Sequence, residues 1–334
     1  MPASPGALRF NTDSNKLELY DGNQWTEIVA SSPDSQTGGA RGVFSGGYSG
    51  ANLNTIDYIN ISSTGNAISF GNLTAVRAFA ASCASSTRGL IAGGVDGPSV
   101  ATNTISFITI SSTGNAASFG NLSQALSYGT ALASSTRGII TLAPTPAYVN
   151  VIDYVTIAST GNSQDFGDTT QSRNELGSCA SSTRGVFFGG INPGLAPGQL
   201  LNIIDFITIS TQGNAADFGD LINLKEQGGS CSNAIRGLYA GKEAPAASNV
   251  IEYITIASNG NAIDFGDLTQ ARNQLCGVAS PTRAVWGGGT TGSVVNTIDY
   301  VTIMSTGNAI DFGDLTVARR RLPSSGISNG HGGL

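Results

Sequence analysis

Three observations predict an all-β chain whose main body is a closed propeller of six four-stranded blades. A unit repeats six times, marked by the Phe of FGD or FGN at Phe70, Phe119, Phe166, Phe218, Phe265 and Phe312, with intervals of 49, 47, 52, 47 and 47 residues. A second mark, the Arg that opens RGVF-like strings, also occurs six times, at Arg41, Arg88, Arg137, Arg184, Arg236 and Arg283. Each unit holds four short runs of strand-forming residues bounded by Gly, Asn, Asp or Ser, and none has helical periodicity. A period of this size with four strands matches one propeller blade, which buries both faces only against neighbours.

Taken in chain order, the first 30 residues come apart from the rest. The string ALRFNTDSNKLELYDGNQWTEI reads as three short strands around the turns TDSNK and DGNQ, an N-terminal β-hairpin arm. So short a stretch has no core of its own, and something else must cover Phe10, Leu17, Leu19, Tyr20 and Trp25. A Ser/Gly linker, SSPDSQTGGA, follows over 31–40, and the propeller is expected over 41–330. Within its repeat, segment a is small and weakly polar, as in ELGSCASS (175–182), and segment b is Arg followed by apolar residues and Gly-Gly, as in RGVFFGG (184–190). Segment c is β-branched and aromatic, as in IDYVTI (152–157), and segment d is NAIDFGDL (261–268). Segment a is expected innermost, because strands converging on an axis leave room only for small side chains. Cys83, Cys179 and Cys231 share one position of a, and equivalent rungs of separate blades lie too far apart for a disulfide, so these three and Cys276 are expected as buried fillers. The first copy lacks an a segment, while RRRLPSSGIS (319–328) is an a-like string without a blade. Pairing the two closes the ring and leaves no exposed edge.

Composition excludes several functions. Charged residues are 11% of the chain, acidic residues outnumber basic ones 22 to 16, and no Lys/Arg run exists, so nucleic acid is not an expected partner. No apolar stretch reaches the length of a membrane span, and the N-terminus lacks a signal-peptide pattern, so no membrane insertion is expected. A single histidine, His331, and no CxxC pair remove His-based triads and the common zinc sites. No catalysis, no cofactor and no metal are expected.

Length variation is confined to one connection. From the Arg mark to the turn Gly of STGN the spacing runs 24, 26, 24, 29, 24 and 24, and all of that change lies between b and c. Propeller geometry puts these six loops on one face, where a rigid scaffold carries recognition. Tyr48, Asp96, Tyr148, Asn192, Leu195, Lys242 and Glu243 are the candidate ligand-binding residues. Paired carboxylates around the Phe mark (Asp165 and Asp168, and their equivalents) recur in copy after copy, which argues against a single active site. Arg173, Lys225, Arg272 and Arg319 lie five residues beyond the second Asp, which predicts exposed local ion pairs at a turn, with Asn121 and Leu126 as the copy where both partners are missing. The arginines that open b are expected to pair with Asp57, Asp153, Asp205, Glu252 and Asp299 of segment c.

The order of a, b ending in Gly-Gly, c with an aromatic and d with an aromatic, closed by a C-terminal a strand, resembles the kelch-type propeller over roughly 41–329, with Leu142-Ala143 and Gly241-Lys242 replacing the doublet twice. Gly6, Leu8, Arg9, Phe10, Asn11, Thr12, Asn15, Leu17, Glu18, Tyr20, Asp21, Gly22 and Trp25 resemble a module found near the ends of tailed-phage fibre and other virion proteins. The STGN…DFGDLTxAR repeat is itself similar to virion proteins of cyanophage and other marine phages. The resemblance implies a virion structural protein, assembled in the host cytoplasm, with other virion proteins as partners. Arg9, Phe10, Leu17, Leu19, Tyr20 and Trp25 would form its attachment or oligomerisation surface, with a homo-oligomer, a trimer for instance, as the expected state. A tail or neck fibre-type appendage contacting a host surface glycan or protein is the expected role, and a capsid decoration or cement protein without a receptor role is the alternative.

Overall fold

The computed structural model describes residues 4–11, 16–27, 40–97, 100–141, 149–192, 194, 199–242 and 246–334, with the side chains of residues 16, 17 and 27 excepted. Every element among them is a β-strand, and the sheets are antiparallel. The chain divides into two compact units, Met1–Gly39 and Ala40–Leu334.

The first unit is a three-stranded sheet of Leu8–Asn11, Lys16–Tyr20 and Trp25–Glu27, in that order. Strand alternation sorts its residues between two faces. Arg9, Glu18, Tyr20 and Trp25 share one: Arg9 lies 4.3 Å over the Trp25 ring and pairs with Glu18 at 2.7 Å, and Tyr20 packs on Trp25. Leu8, Phe10 and Leu19 occupy the other, with Leu17 at the register position opposite Phe10, and Leu8 and Phe10 are more than half exposed. The turn after the second strand is set by Asp21, whose carboxylate accepts the N–H groups of Asn23 and Gln24; these bonds hold it below its ordinary pKa.

The second unit holds six sheets whose four main strands are ordered a-b-c-d; sheet 2 carries a fifth short strand, Val95–Asp96, paired with its strand c, and Ile191–Asn192 with Gln199–Leu200 forms a separate two-stranded sheet. Sheet 1 consists of Ile327–Ser328, Arg41–Ser45, Thr55–Asn60 and Ile68–Asn72. Sheet 2 is Ala81–Ala84, Arg88–Ala92, Val100–Thr109 and Ala117–Leu126; sheet 3 is Ala131–Ala133, Arg137–Thr141, Val151–Thr156 and Gln164–Asp168. Sheet 4 is Gly177–Ala180, Arg184–Phe188, Ile203–Thr208 and Ala216–Asp220; sheet 5 is Gly229–Ser232, Arg236–Lys242, Ser248–Thr255 and Ile263–Arg272. Sheet 6 is Cys276–Ala279, Arg283–Gly287, Thr297–Thr302 and Ile310–Asp314. In sheet 1 the two-residue C-terminal strand pairs with the first strand of the unit, Ile327 opposite Val43.

The repeated residues explain the sheets. In every copy the marker Phe is the extra residue of a β-bulge in strand d, buried against the sheet, while c runs on opposite it. The Gly after it leaves no side chain where the STGN turn of the next copy arrives: a Cβ at Gly313 would meet the Gly65 carbonyl at 2.6 Å. Each turn is stitched there by its Gly N–H donating to the Phe carbonyl, and its Asn Oδ1 accepts the N–H two residues beyond the Phe. The same two bonds that join sheet 1 to sheet 2 also join sheet 6 to sheet 1, through Gly65, Phe312, Asn66 and Asp314.

The arginines opening strand b do not pair with the acids of strand c. Each lies 4.3–5.1 Å over the c-strand aromatic of its own sheet (Tyr58, Phe107, Tyr154, Phe206, Tyr253, Tyr300) and donates to a carbonyl beyond strand c of the next sheet, as Arg184 does to Ile256 and Arg283 to Ile61. Four of the five c acids are instead held by the other basic set. Arg173 pairs with Asp205 at 2.6 Å, Lys225 with Glu252 at 3.1 Å, Arg272 with Asp299 at 2.8 Å and Arg319 with Asp57 at 3.0 Å, all fully buried. These cations come from the end of strand d of one sheet or the connection after it, and their acids from strand c of the next. The expected exposed pairing with the nearby Asp168, Asp220, Asp267 and Asp314 is therefore corrected: proximity along the chain is overridden by the packing of adjacent sheets. Burial pulls each of these cations below its ordinary pKa, and the facing carboxylate opposes that shift.

The a strands are almost wholly buried, and all four cysteines are free and buried there. The chain end threads among them. Ser325 donates to the carbonyl of Ser82, the Ser328 hydroxyl bonds the Ala279 carbonyl, and the Gly332 N–H donates to Ser232.

Candidate functional site

Six residues stand out by backbone conformation. Among the described residues, the non-glycine residues with positive φ are Phe79, Tyr128, Glu175, Gln227, Gln274 and Arg321, all between 52° and 62°. Each lies nine residues beyond its marker Phe, so one position of the repeat carries all six. A side chain in this left-handed region costs about 1–2 kcal/mol relative to the right-handed one, and glycine would relieve it. Glycine occupies none of the six.

We call these the hub residues. They are joined by a run of main-chain hydrogen bonds of 2.7–3.2 Å: Phe79 N–H donates to Arg321, Tyr128 to Phe79, Glu175 to Tyr128, Gln227 to Glu175 and Gln274 to Gln227. The bonds need the φ value but not the side chain. Along this series the side chains read basic, two aromatic, acidic, two amides. Phe79 and Tyr128 pack with ring centroids 4.0 Å apart, Arg321 lies 5.2 Å over Phe79, and the Gln274 amide donates to Gln227. Five of the six line one shallow pocket, with Leu322 and Ser324 also among its lining residues.

Four of the b–c loops start beside the hub. Their first residues bridge to the residue preceding a hub position: Tyr48 to Arg320, Val95 to Ala78, Ile191 to Asn174 and Thr290 to Asn273. The glycine doublets permit this approach, since a Cβ at Gly288 would meet the Arg319 carbonyl at 2.7 Å. Of the loop residues predicted to bind ligand, Tyr48 alone among the described residues touches a hub side chain, lying under Arg321 at 4.5 Å and near Arg320 at 5.7 Å. Asp96 sits in a two-residue strand paired with Val100, and opposes the lowering of the Arg77 pKa by burial. Asn192 caps its own loop by accepting the Gly194 N–H, and Lys242 ends strand b of sheet 5 opposite Ser248. Tyr148, Leu195 and Glu243 lie outside the described residues. Length variation along the chain does not mark the hub, because its position in the repeat is fixed. Its signal was compositional, six different residues at one fixed offset.

No protein-family model matches this chain, and no curated protein is significantly similar to it.

Proposed function

We propose that this chain is a non-enzymatic virion structural protein, an appendage of the tail or neck fibre type that displays a closed six-bladed, kelch-like propeller and touches the host surface with the end bearing the hub and the b–c loops. One observation carries the recognition role: six strained non-glycine residues of different chemistry stand where the scaffold would be relieved by glycine. Strain retained at an exposed pocket is a mark of function. The propeller reading is supported by the stitching that relates sheet 6 to sheet 1 as it relates sheet 1 to sheet 2, and by the pairing of Ile327–Ser328 with strand b of sheet 1. The virion reading is supported by the resemblance of Gly6 to Trp25 to the fibre-end module. The arm attaches through its open face, where Leu8 and Phe10 stand exposed.

The test is binding of the labelled full chain to intact bacterial cells, with soluble surface polysaccharide as competitor. Saturable binding that polysaccharide displaces, and that Phe79→Ala with Tyr128→Ala removes without lowering the melting temperature by more than a few degrees, is the expected result. A folded protein that binds no cells, or binds equally well with the hub altered, is a passive decoration protein instead.

A further inference from the structure

We infer that the hub pocket takes an anionic pyranose, a uronate residue of a surface polysaccharide, with the sugar ring on Phe79 and Tyr128 and the carboxylate on Arg320 and Arg321. This rests on the recognition reading above and names its ligand class.

Charge is the first argument. Three arginines follow one another in the last repeat, and the first, Arg319, is matched by buried Asp57. Arg320 and Arg321 are in no ion pair among the described residues. Both are held against Tyr48, and Arg321 also against Phe79, so two guanidinium groups are oriented at the pocket edge by aromatic faces. The equivalent dipeptides of the other copies, Ala78-Phe79, Ser127-Tyr128, Asn174-Glu175, Glu226-Gln227 and Asn273-Gln274, carry no base. The cationic edge is thus peculiar to one side of the pocket, and a guanidinium recognises a carboxylate better than any neutral group.

Shape and polarity supply the rest. The half-buried Phe79 and Tyr128 offer an apolar platform beside that edge, suited to the C–H face of a sugar. Beyond them Glu175, Gln227 and Gln274 provide acceptors and donors for hydroxyl groups. A flat ring with one apolar face, hydroxyls on its rim and a carboxylate at one end matches that order of chemistries.

The probes are tetragalacturonate and its methyl ester, which keeps every ring and removes the charge, titrated calorimetrically into the full chain. The acid should bind about tenfold or more tightly than the ester, and the margin should narrow as salt is raised. Arg320→Gln with Arg321→Gln should erase the margin and leave ester binding within about twofold, since glutamine is already native to the hub at two copies. Tyr128→Ala should weaken both probes about fivefold. Equal binding of acid and ester, or a margin that survives in the double glutamine variant with an unchanged melting temperature, overturns the uronate assignment. Failure of both probes alongside cell binding that depends on the hub also overturns it but leaves the recognition reading standing. Absence of cell binding as well overturns both.

Discussion

The seam between sheets 2 and 3 and the seam between sheets 5 and 6 do the same job with different chemistry. In the second, Arg272 meets Asp299, and both are fully buried. In the first, Leu126 stands where the arginine would be, wholly buried in an apolar cluster, yet the acid is retained as Asp153 at 0% exposure. Asp153 is satisfied by neutral donors: the N–H and hydroxyl of Ser123, each at 3.0 Å, and the hydroxyl of Ser163. Ser163 is the telling residue, because every other copy has alanine there, at Ala67, Ala116, Ala215, Ala262 and Ala309. The seam between sheets 1 and 2 inverts the problem, with Arg77 facing Ser106 and Thr104 in place of an acid and spending its donors on their hydroxyls and on the Thr104 carbonyl. Where a charged partner is missing at a seam, neutral hydroxyl and main-chain groups bond the buried charge that remains. Where this framework varies, a contacting residue varies with it.

The largest effect should come from breaking a paired seam without its compensation. Arg272→Leu strands Asp299 with Thr269 alone among the side chains bonded to it, and should cost about 3–5 kcal/mol in denaturant unfolding. Adding Ala309→Ser supplies the hydroxyl that serves Asp153 and should restore about 1–3 kcal/mol of that loss. If the second change restores nothing, Ser163 is an accident of the third copy and the comparison fails. Next in size is Ser163→Ala, which removes one donor from a buried carboxylate and should cost about 1–3 kcal/mol, whereas Ala309→Ser in the otherwise native chain should be near neutral.

Much of this was legible because the repeat aligns the chain with itself. The bulge phenylalanine, the stacked arginine and the four strands recur at fixed offsets, and each recurrence is a structural requirement read six times. The buried pairs were misassigned because Arg173 and Asp168 are near in sequence, while its partner Asp205 is supplied by the adjacent sheet. Leu126 and Ser163 already differed from their equivalents, but only packing places both beside Asp153. Left-handed backbone at Phe79 or Arg321 is invisible to residue preference, because those side chains ordinarily avoid it. The apolar face of the arm, by contrast, follows from alternation in Leu8, Phe10, Leu17 and Leu19.

The hub should respond in the opposite sense to the seams. Gln227→Gly relieves about 1–2 kcal/mol of left-handed strain, loses an amide hydrogen bond worth about 0.5–1.5 kcal/mol and adds the unfolded-state freedom of glycine, about 0.5–1 kcal/mol. Stability should stay within about 1 kcal/mol of the native chain, while cell binding weakens. A seam variant that still folds should bind normally. Equal losses of stability and binding in both classes would erase the distinction between framework and hub.

The smallest expected effect is again a buried polar group satisfied without charge, among the a strands. His331 Nε2 lies 2.6 Å from the Ala84 carbonyl, and its Nδ1 accepts the Gly333 N–H at 3.0 Å, which requires the neutral imidazole with its proton on Nε2. Loss of water around the ring lowers its pKa below the ordinary imidazole value, against the opposing bond to Ala84. A proton added at Nδ1 would face the Gly333 N–H, so the folded state binds it less readily than the unfolded state does. Stability from this group is therefore present above the unfolded-state pKa of about 6.5 and is lost as pH falls through it toward the lower folded value. His331 lines a small cavity together with Cys83, Cys179 and Cys231; burial pushes Cys83 up to about 12 and also raises Cys179 and Cys231, so none of these thiols ionises in that window. The melting temperature should fall from pH 7 to pH 5 more in the native chain than in His331→Asn. Parallel falls in the two proteins would mean that the imidazole takes up its proton where it lies as readily as in the unfolded chain.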